Sequence, residues 1–186
     1  ATTAAVVAAH DTAVAEGRKY LDRWGVVSRR TGDGEVRGVE TNGMLVAGFR
    51  HRTSRNMDPQ LHTHAIVANI VERGAGTWGA IDSRVFYRHA KTAGYLYQAV
   101  LRSELTRRLG VEWGPITNGH AEATAVPTEV NELFSSRRQE IEAELDARGA
   151  SSARAAQVAA LRSRTAKTHV AGTDVLRGTW REHATD

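Results

Sequence analysis

Along the first two dozen residues the larger apolar side chains fall at Val6, Val7, Val14, Leu21 and Trp24, with His10 and Gly17 on the same stripe. That spacing predicts an amphipathic helix stopped at Gly25. The following RRTGDGEVRG carries no stripe, and its glycines and arginines predict a loop or hairpin turn. MLVAGFRHRTS then reads as a strand, NMDP as a turn and LHTHAIVANIV as a second strand. ERGAG predicts another tight turn into the short strand TWGAID, so the middle of the chain is expected to form an antiparallel meander. Helical spacing returns in RHAKTAGYLYQAVLRSELTRRLG, where Tyr95, Tyr97, Val100, Leu101, Leu105 and Leu109 recur and Gly110 stands where a helix end favours glycine. VEWGPITNGHAEATAVP reads as a loop with room for one strand. Thr128 then opens EVNELFSSRRQEIEAELDARG, a helix stopped by Gly149, and Ser151 and Thr173 are placed as caps of two more helices. The expected fold class is α+β, an antiparallel sheet flanked by helices with a helical C-terminal part. Residues 1–126 are expected to form the core and 127–186 the helical part of the same domain.

Composition changes this picture little. The 186 residues suit one hydrophobic unit. The 25 Lys+Arg against 21 Asp+Glu leave a formal charge of +4, a balance that favours polyanionic partners without naming one. The absence of cysteine excludes disulfides and thiolate metal sites, so any metal must be held by His, Asp or Glu, and a cytoplasmic location is compatible with that. The opening ATTAAVVAAHDTAVAEG is interrupted by His10 and Asp11 and lacks a basic leader. It reads as neither signal peptide nor membrane span, but as a chain cut open mid-domain.

The chemistry concentrates in HRTSRNMDPQLHTHAIVAN, which begins at His51. Strand side chains alternate faces, so His62 and His64 point the same way with Cα atoms roughly 6.6 Å apart. If the two strands pair around NMDP, the residue opposite His51 is near His62 or His64, and three imidazoles converge on one sheet face. A three-histidine cluster leaves coordination positions open, as catalytic metal sites require. The bland alternative makes His62 and His64 polar residues on a solvated face and His51 unrelated to them. The third histidine, placed where the hairpin brings it alongside, favours a site for one divalent ion. Three neutral imidazoles accept Zn, Mn, Co or Ni, whereas Mg prefers more oxygen. Arg52 and Arg55 read either as solvated turn charges or as a fork for phosphate beside that ion.

At these residues the sequence resembles the conjugative relaxases of the TrwC/TraI type, in the HUH endonuclease superfamily. FRHRTSRNMDPQLHTHAIVAN is similar to the family's metal-site segment, with His51, His62 and His64 in its three histidine places. AHDTAVAEGRKYL, VETNGMLVAGF, GTWGAIDSRVFY, LYQAVLRSELTRRLGVEW, FSSRRQEI and LRSRTAKT extend the likeness over nearly the whole chain. The resemblance implies a metal-dependent transesterase that nicks and rejoins single-stranded DNA at a plasmid transfer origin through a phosphotyrosyl link, with other relaxosome proteins as further partners and no membrane insertion. Arg55, Arg52 and Gln98 are the candidate DNA contacts. In the family the nucleophilic tyrosines and a strand carrying an acidic helper precede the helix that residues 8–24 resemble. The nucleophilic tyrosine is therefore expected upstream of Ala1, and the chain to be an N-terminally truncated relaxase core that holds no catalytic nucleophile of its own.

Two other readings stand beside it. One is a non-catalytic metal- and DNA-binding remnant of such a protein. The other is a stand-alone metallohydrolase, against which the lack of an HExxH motif counts.

Overall fold

The computed structural model describes residues 2–32, 35–163 and 172–184. Its elements run α1 (Thr2–Trp24), β1 (Ser28–Gly32), β2 (Glu35–Val39), β3 (Val46–Thr53), β4 (Pro59–Val67), β5 (Val71–Glu72), β6 (Trp78–Gly79) and α2 (Ser83–Leu109). The helices α3 (Thr128–Leu133), α4 (Ser136–Asp146), α5 (Ala153–Arg162) and α6 (Thr173–His183) follow. The α+β class is as expected, but the strands do not form one meander. Among the described residues they form three two-stranded sheets, β1–β2, β3–β4 and β5–β6. Ala68 still donates its N–H to the Leu45 carbonyl beside the β3–β4 ladder, and the chain then turns away, the Asn69 side chain accepting the N–H of Ile81.

The chain divides into two compact units, residues 1–50 with 63–125, and residues 51–62 with 126–186; the dividing lines fall within the β3–β4 hairpin. In the first unit α1 lies against α2. The buried seam on α1 is Ala9, His10, Ala13 and Gly17, and on α2 it is Ala93. The seam is thus built of small residues, and Trp24, placed on the apolar stripe by spacing, is 53% exposed. Small side chains at i, i+4 and i+8 let two helix backbones approach closely, so a Cβ on Gly17 would already meet the Ala93 carbonyl at 3.5 Å. Two tyrosine–histidine pairs fasten the seam: the Tyr20 hydroxyl lies 2.8 Å from His89 Nδ1, and the Tyr97 hydroxyl 2.9 Å from His10 Nδ1.

Helix α2 begins before the expected Arg88, because Asp82 caps it. The Asp82 carboxylate accepts the Arg84 N–H, and the Arg84 guanidinium beside it holds that carboxyl below its ordinary value. Gly110 ends the helix as read, with φ +66° and its N–H on Thr106. The loop to Pro127 carries only isolated bridges, Trp113 with Ala123 and Thr117 with His120.

The second unit departs from the sequence reading in three places. The long helix expected after Thr128 is two, α3 and α4, parted at Phe134–Ser135; the Ser135 hydroxyl donates to the Asn131 carbonyl at 2.5 Å and so competes with the backbone ladder. Ser152, not Ser151, caps α5, accepting the Ala155 N–H. Thr173 is the first residue of α6 rather than its cap, a position held by Gly172. Three parts of the sequence reading lie outside the described residues: Ala1, upstream of which the nucleophile is expected, residues 33–34 of the first hairpin turn, and residues 164–168 of LRSRTAKT.

Because Ala9 and Ala13 are fully buried in the α1–α2 seam, Ala13→Leu is expected to overpack it and lower stability by about 1–3 kcal/mol, read as a shift in urea midpoint. A variant as stable as wild type would show that the helices can part at little cost.

Candidate metal centre

The β3–β4 turn is built by its own side chains. Ser54 Oγ accepts the N–H groups of Asn56 and Asp58 at 3.2 and 3.1 Å and donates to the Asp58 carboxylate at 3.0 Å, while the Ser54 N–H donates to the Asp58 carbonyl at 2.9 Å. Within the second unit the Ser136 hydroxyl donates to both oxygens of Asp58, and Trp180 Nε1 donates to the Met57 carbonyl at 2.8 Å. Met57 needs that hold. Its φ of +69° is unusual for a residue with a Cβ and costs on the order of 1 kcal/mol or more. Pro59 then opens β4, a strand position that does not require a backbone donor.

Ala68 donates to Leu45 at the open end of the hairpin, and an uninterrupted antiparallel count inward from that bond places His51 opposite His62. Their rings are 5.3 Å apart and nearly perpendicular. His64 joins them from the same face of β4, and one ligand atom from each of His51, His62 and His64 can be chosen so that all lie within 4.8 Å of one another. Three nitrogens bound to one tetrahedral ion at about 2.1 Å would stand about 3.4 Å apart, so small rotamer adjustments bring this set onto an ion. His51 and His62 are half-buried and His64 is exposed, which leaves the centre open on one side.

One hydrogen bond bears directly on whether these residues fit a metal. His62 Nδ1 lies 3.1 Å from the Gln60 carbonyl, a group that can only accept, so in the neutral ring Nδ1 carries the proton and Nε2 the lone pair. Metal-binding imidazoles are oriented in this way, through the ring nitrogen that does not bind. The Gln60 contribution is a main-chain one, and no side-chain pattern announced it.

The other predicted residues are placed as follows. Arg52, next along β3, is exposed and by strand alternation leaves the sheet on the face opposite His51. Arg55 is half-buried in the turn and lines a cavity of about 830 Å³ in the second unit, along with Gln60, Phe134, Arg137 and Arg138. Gln98 is half-buried on α2 in the first unit, one residue past Tyr97.

The sequence model of the TrwC relaxase matches residues 1–186. The chain is 36% identical over 148 residues to the multifunctional conjugation protein TraI of Escherichia coli, covering 74% of this chain, and 35% identical over 149 residues to TraI of strain K12. It spans only 8% of the length of either relative. Among solved structures it is similar to the conjugative relaxase TrwC in complex with oriT DNA, in a metal-free form with TM-score 0.88 and 32% identity over 98% of this chain and 65% of that one. A copper-bound TrwC complex gives 0.87, covering 98% of this chain and 62% of that one. A TrwC complex with a 27-mer DNA comprising the recognition hairpin and the cleavage site gives 0.87 as well, over 98% and 65%.

Proposed function

The chain belongs to the TrwC relaxase family, and on that footing we propose that it is the metal-binding core of a relaxase that nicks and rejoins single-stranded DNA at a plasmid transfer origin. The observation that carries this reading is the cluster of His51, His62 and His64 on one hairpin. His51, His62 and His64 would hold one divalent ion. Such an ion, when bound, supplies Lewis-acid charge to the nonbridging oxygens of the scissile phosphate. Three nitrogen donors favour Mn, Zn, Co or Ni over Mg.

The remaining work falls to side chains that position the strand. Arg52, Arg55 and Gln98 are the proposed DNA contacts, the two guanidinium forks matching phosphate oxygens and the amide reading or steadying the strand. The attacking tyrosine is proposed to stand upstream of Ala1 and not to be among the four of this chain. Tyr20 and Tyr97 have their hydroxyls on His89 and His10, and burial pushes the Tyr97 phenol above its ordinary value, which keeps it protonated. The Tyr95 ring is fixed under Lys91 and against Gly119, and Tyr87 stands 75% exposed on the first turns of α2. Action in the cytoplasm beside other relaxosome proteins belongs to the same proposal. No helix among the described residues is long and apolar enough to cross a membrane.

Calorimetry with Mn or Zn should find about one ion per chain, and His51→Ala, His62→Ala or His64→Ala should each weaken binding by about 100-fold or more. Equal affinity in His62→Ala and wild type would remove the metal reading. Fluorescence anisotropy with single-stranded oligonucleotides should show affinity falling with salt, and Arg52→Ala or Arg55→Ala should each flatten the log–log slope by about 0.7. A flat wild-type slope would count against DNA binding by this chain. Incubated with labelled transfer-origin oligonucleotides and Mn, the chain alone should give no covalent protein–DNA adduct on a denaturing gel. An adduct abolished by Tyr→Phe at 20, 87, 95 or 97 would overturn the assignment of the nucleophile elsewhere.

A further inference from the structure

Strand β4 carries two of the clustered histidines, and the residue between them points the other way. Thr63 separates His62 from His64, so its side chain leaves the sheet on the opposite face. There Thr63 Oγ1 lies 2.8 Å from Nε2 of His10, on α1. The other nitrogen of His10 lies 2.9 Å from the Tyr97 hydroxyl on α2, the two rings meeting edge to face at 5.7 Å. His10 is only 2% exposed. A neutral imidazole has one donor and one acceptor, and the two hydroxyls satisfy both.

A second link joins the same stretch of α1 to the neighbouring strand, where Arg50 Nη1 donates to the Asp11 carboxylate at 2.6 Å. Its partners are 39% and 51% exposed, so solvent screens the pair and it contributes little. The His10 bridge is shielded, and breaking it would strand a buried polar group. Of the two links, the buried one governs the strand.

We propose that His10, fixed in turn by Tyr97, is a positioning residue for the metal centre: by holding Thr63 it sets the rotation of β4 about its own axis, and with it the angle at which His62 and His64 converge. This inference rests on the metal reading above. Ligand sets of this kind need to be held to about 0.5 Å and 10–20°, which a two-stranded ribbon does not ensure by itself. The bridge also accounts for a histidine within a seam otherwise made of alanine and glycine.

The test uses Cu(II) as probe, because its electron spin resonance spectrum reports ligand geometry as well as occupancy. Thr63→Val removes the hydroxyl and keeps the β-branched shape. It should weaken Cu(II) binding, measured against a competing chelator, by about tenfold or more and change the copper hyperfine splitting. Thr63→Ser, which restores the hydroxyl, should bind within about twofold of wild type. Tyr20→Phe breaks the other tyrosine–histidine pair of the same helix seam; it should lower the thermal midpoint but leave Cu(II) affinity and spectrum unchanged. Thr63→Val with wild-type affinity and spectrum would overturn the inference while leaving the metal reading intact. So would Tyr20→Phe weakening Cu(II) as much as Thr63→Val does, since the bridge would then act through general stability. Wild-type protein that takes up no Cu(II) through histidine would overturn the metal reading and this inference together.

Discussion

The first unit is organised around one buried imidazole. His10 occupies the seam where Ala9, Ala13 and Gly17 let α1 approach Ala93 of α2, and from there it reaches a hydroxyl on α2 and another on β4. Close backbone approach has a purpose in this setting, because a helix pair spread by larger side chains would carry Tyr97 and Thr63 out of range of a single ring. The polar bridge in turn constrains the seam. A buried donor or acceptor that loses its partner costs roughly 1–3 kcal/mol, so small displacements of either helix are resisted by more than lost apolar contact.

The histidine cluster was legible in the sequence because it depends on two short-range rules, strand alternation and a tight turn, acting within one contiguous hairpin. The end of α2 at Gly110 was legible for the same reason, since a left-handed residue after a helix is a local demand. What escaped depends on partners far along the chain. His10 could be placed on the helix stripe, but its partners stand 87 and 53 residues away and leave no trace nearby. Spacing of the large apolar side chains places Trp24 on the apolar stripe, yet it is half exposed and the smaller Ala9 and Ala13 are the residues buried on α1. At Phe134–Ser135 the Ser135 N–H shifts to the Glu132 carbonyl while its hydroxyl takes that of Asn131, and the same residue types would fit a continuous helix. The Gln60 carbonyl that orients His62 belongs to the backbone and carries no residue signature at all.

Charge illustrates the difference between a total and an arrangement. The surplus of basic residues reads as attraction for a polyanion, but many of the arginines have carboxylates beside them. Arg107 and Arg108 both hydrogen-bond Glu104 and hold its carboxyl down to about 2, Arg138 pairs with Glu142, and Arg137 divides its donors among Glu140, Ser163 and Ala160. Phosphate attracted to such residues competes with an intramolecular anion. A guanidinium on an exposed strand position such as Arg52 offers a planar fork on a different geometric footing from these helix-surface pairs.

The turn from Ser54 to Asp58 is closed on itself by the Ser54 hydroxyl and clamped by Ser136 and Trp180. Beyond Ser54 and Asp58, whose side chains close it, its length therefore matters more than its composition. Exchanges that spare those two residues would leave the strands in step. A single codon gained or lost would slide one strand by a residue and turn its histidines to the opposite face, where α1 already holds Thr63. Among descendants of such a gene, substitutions in this segment should accumulate while insertions and deletions are purged.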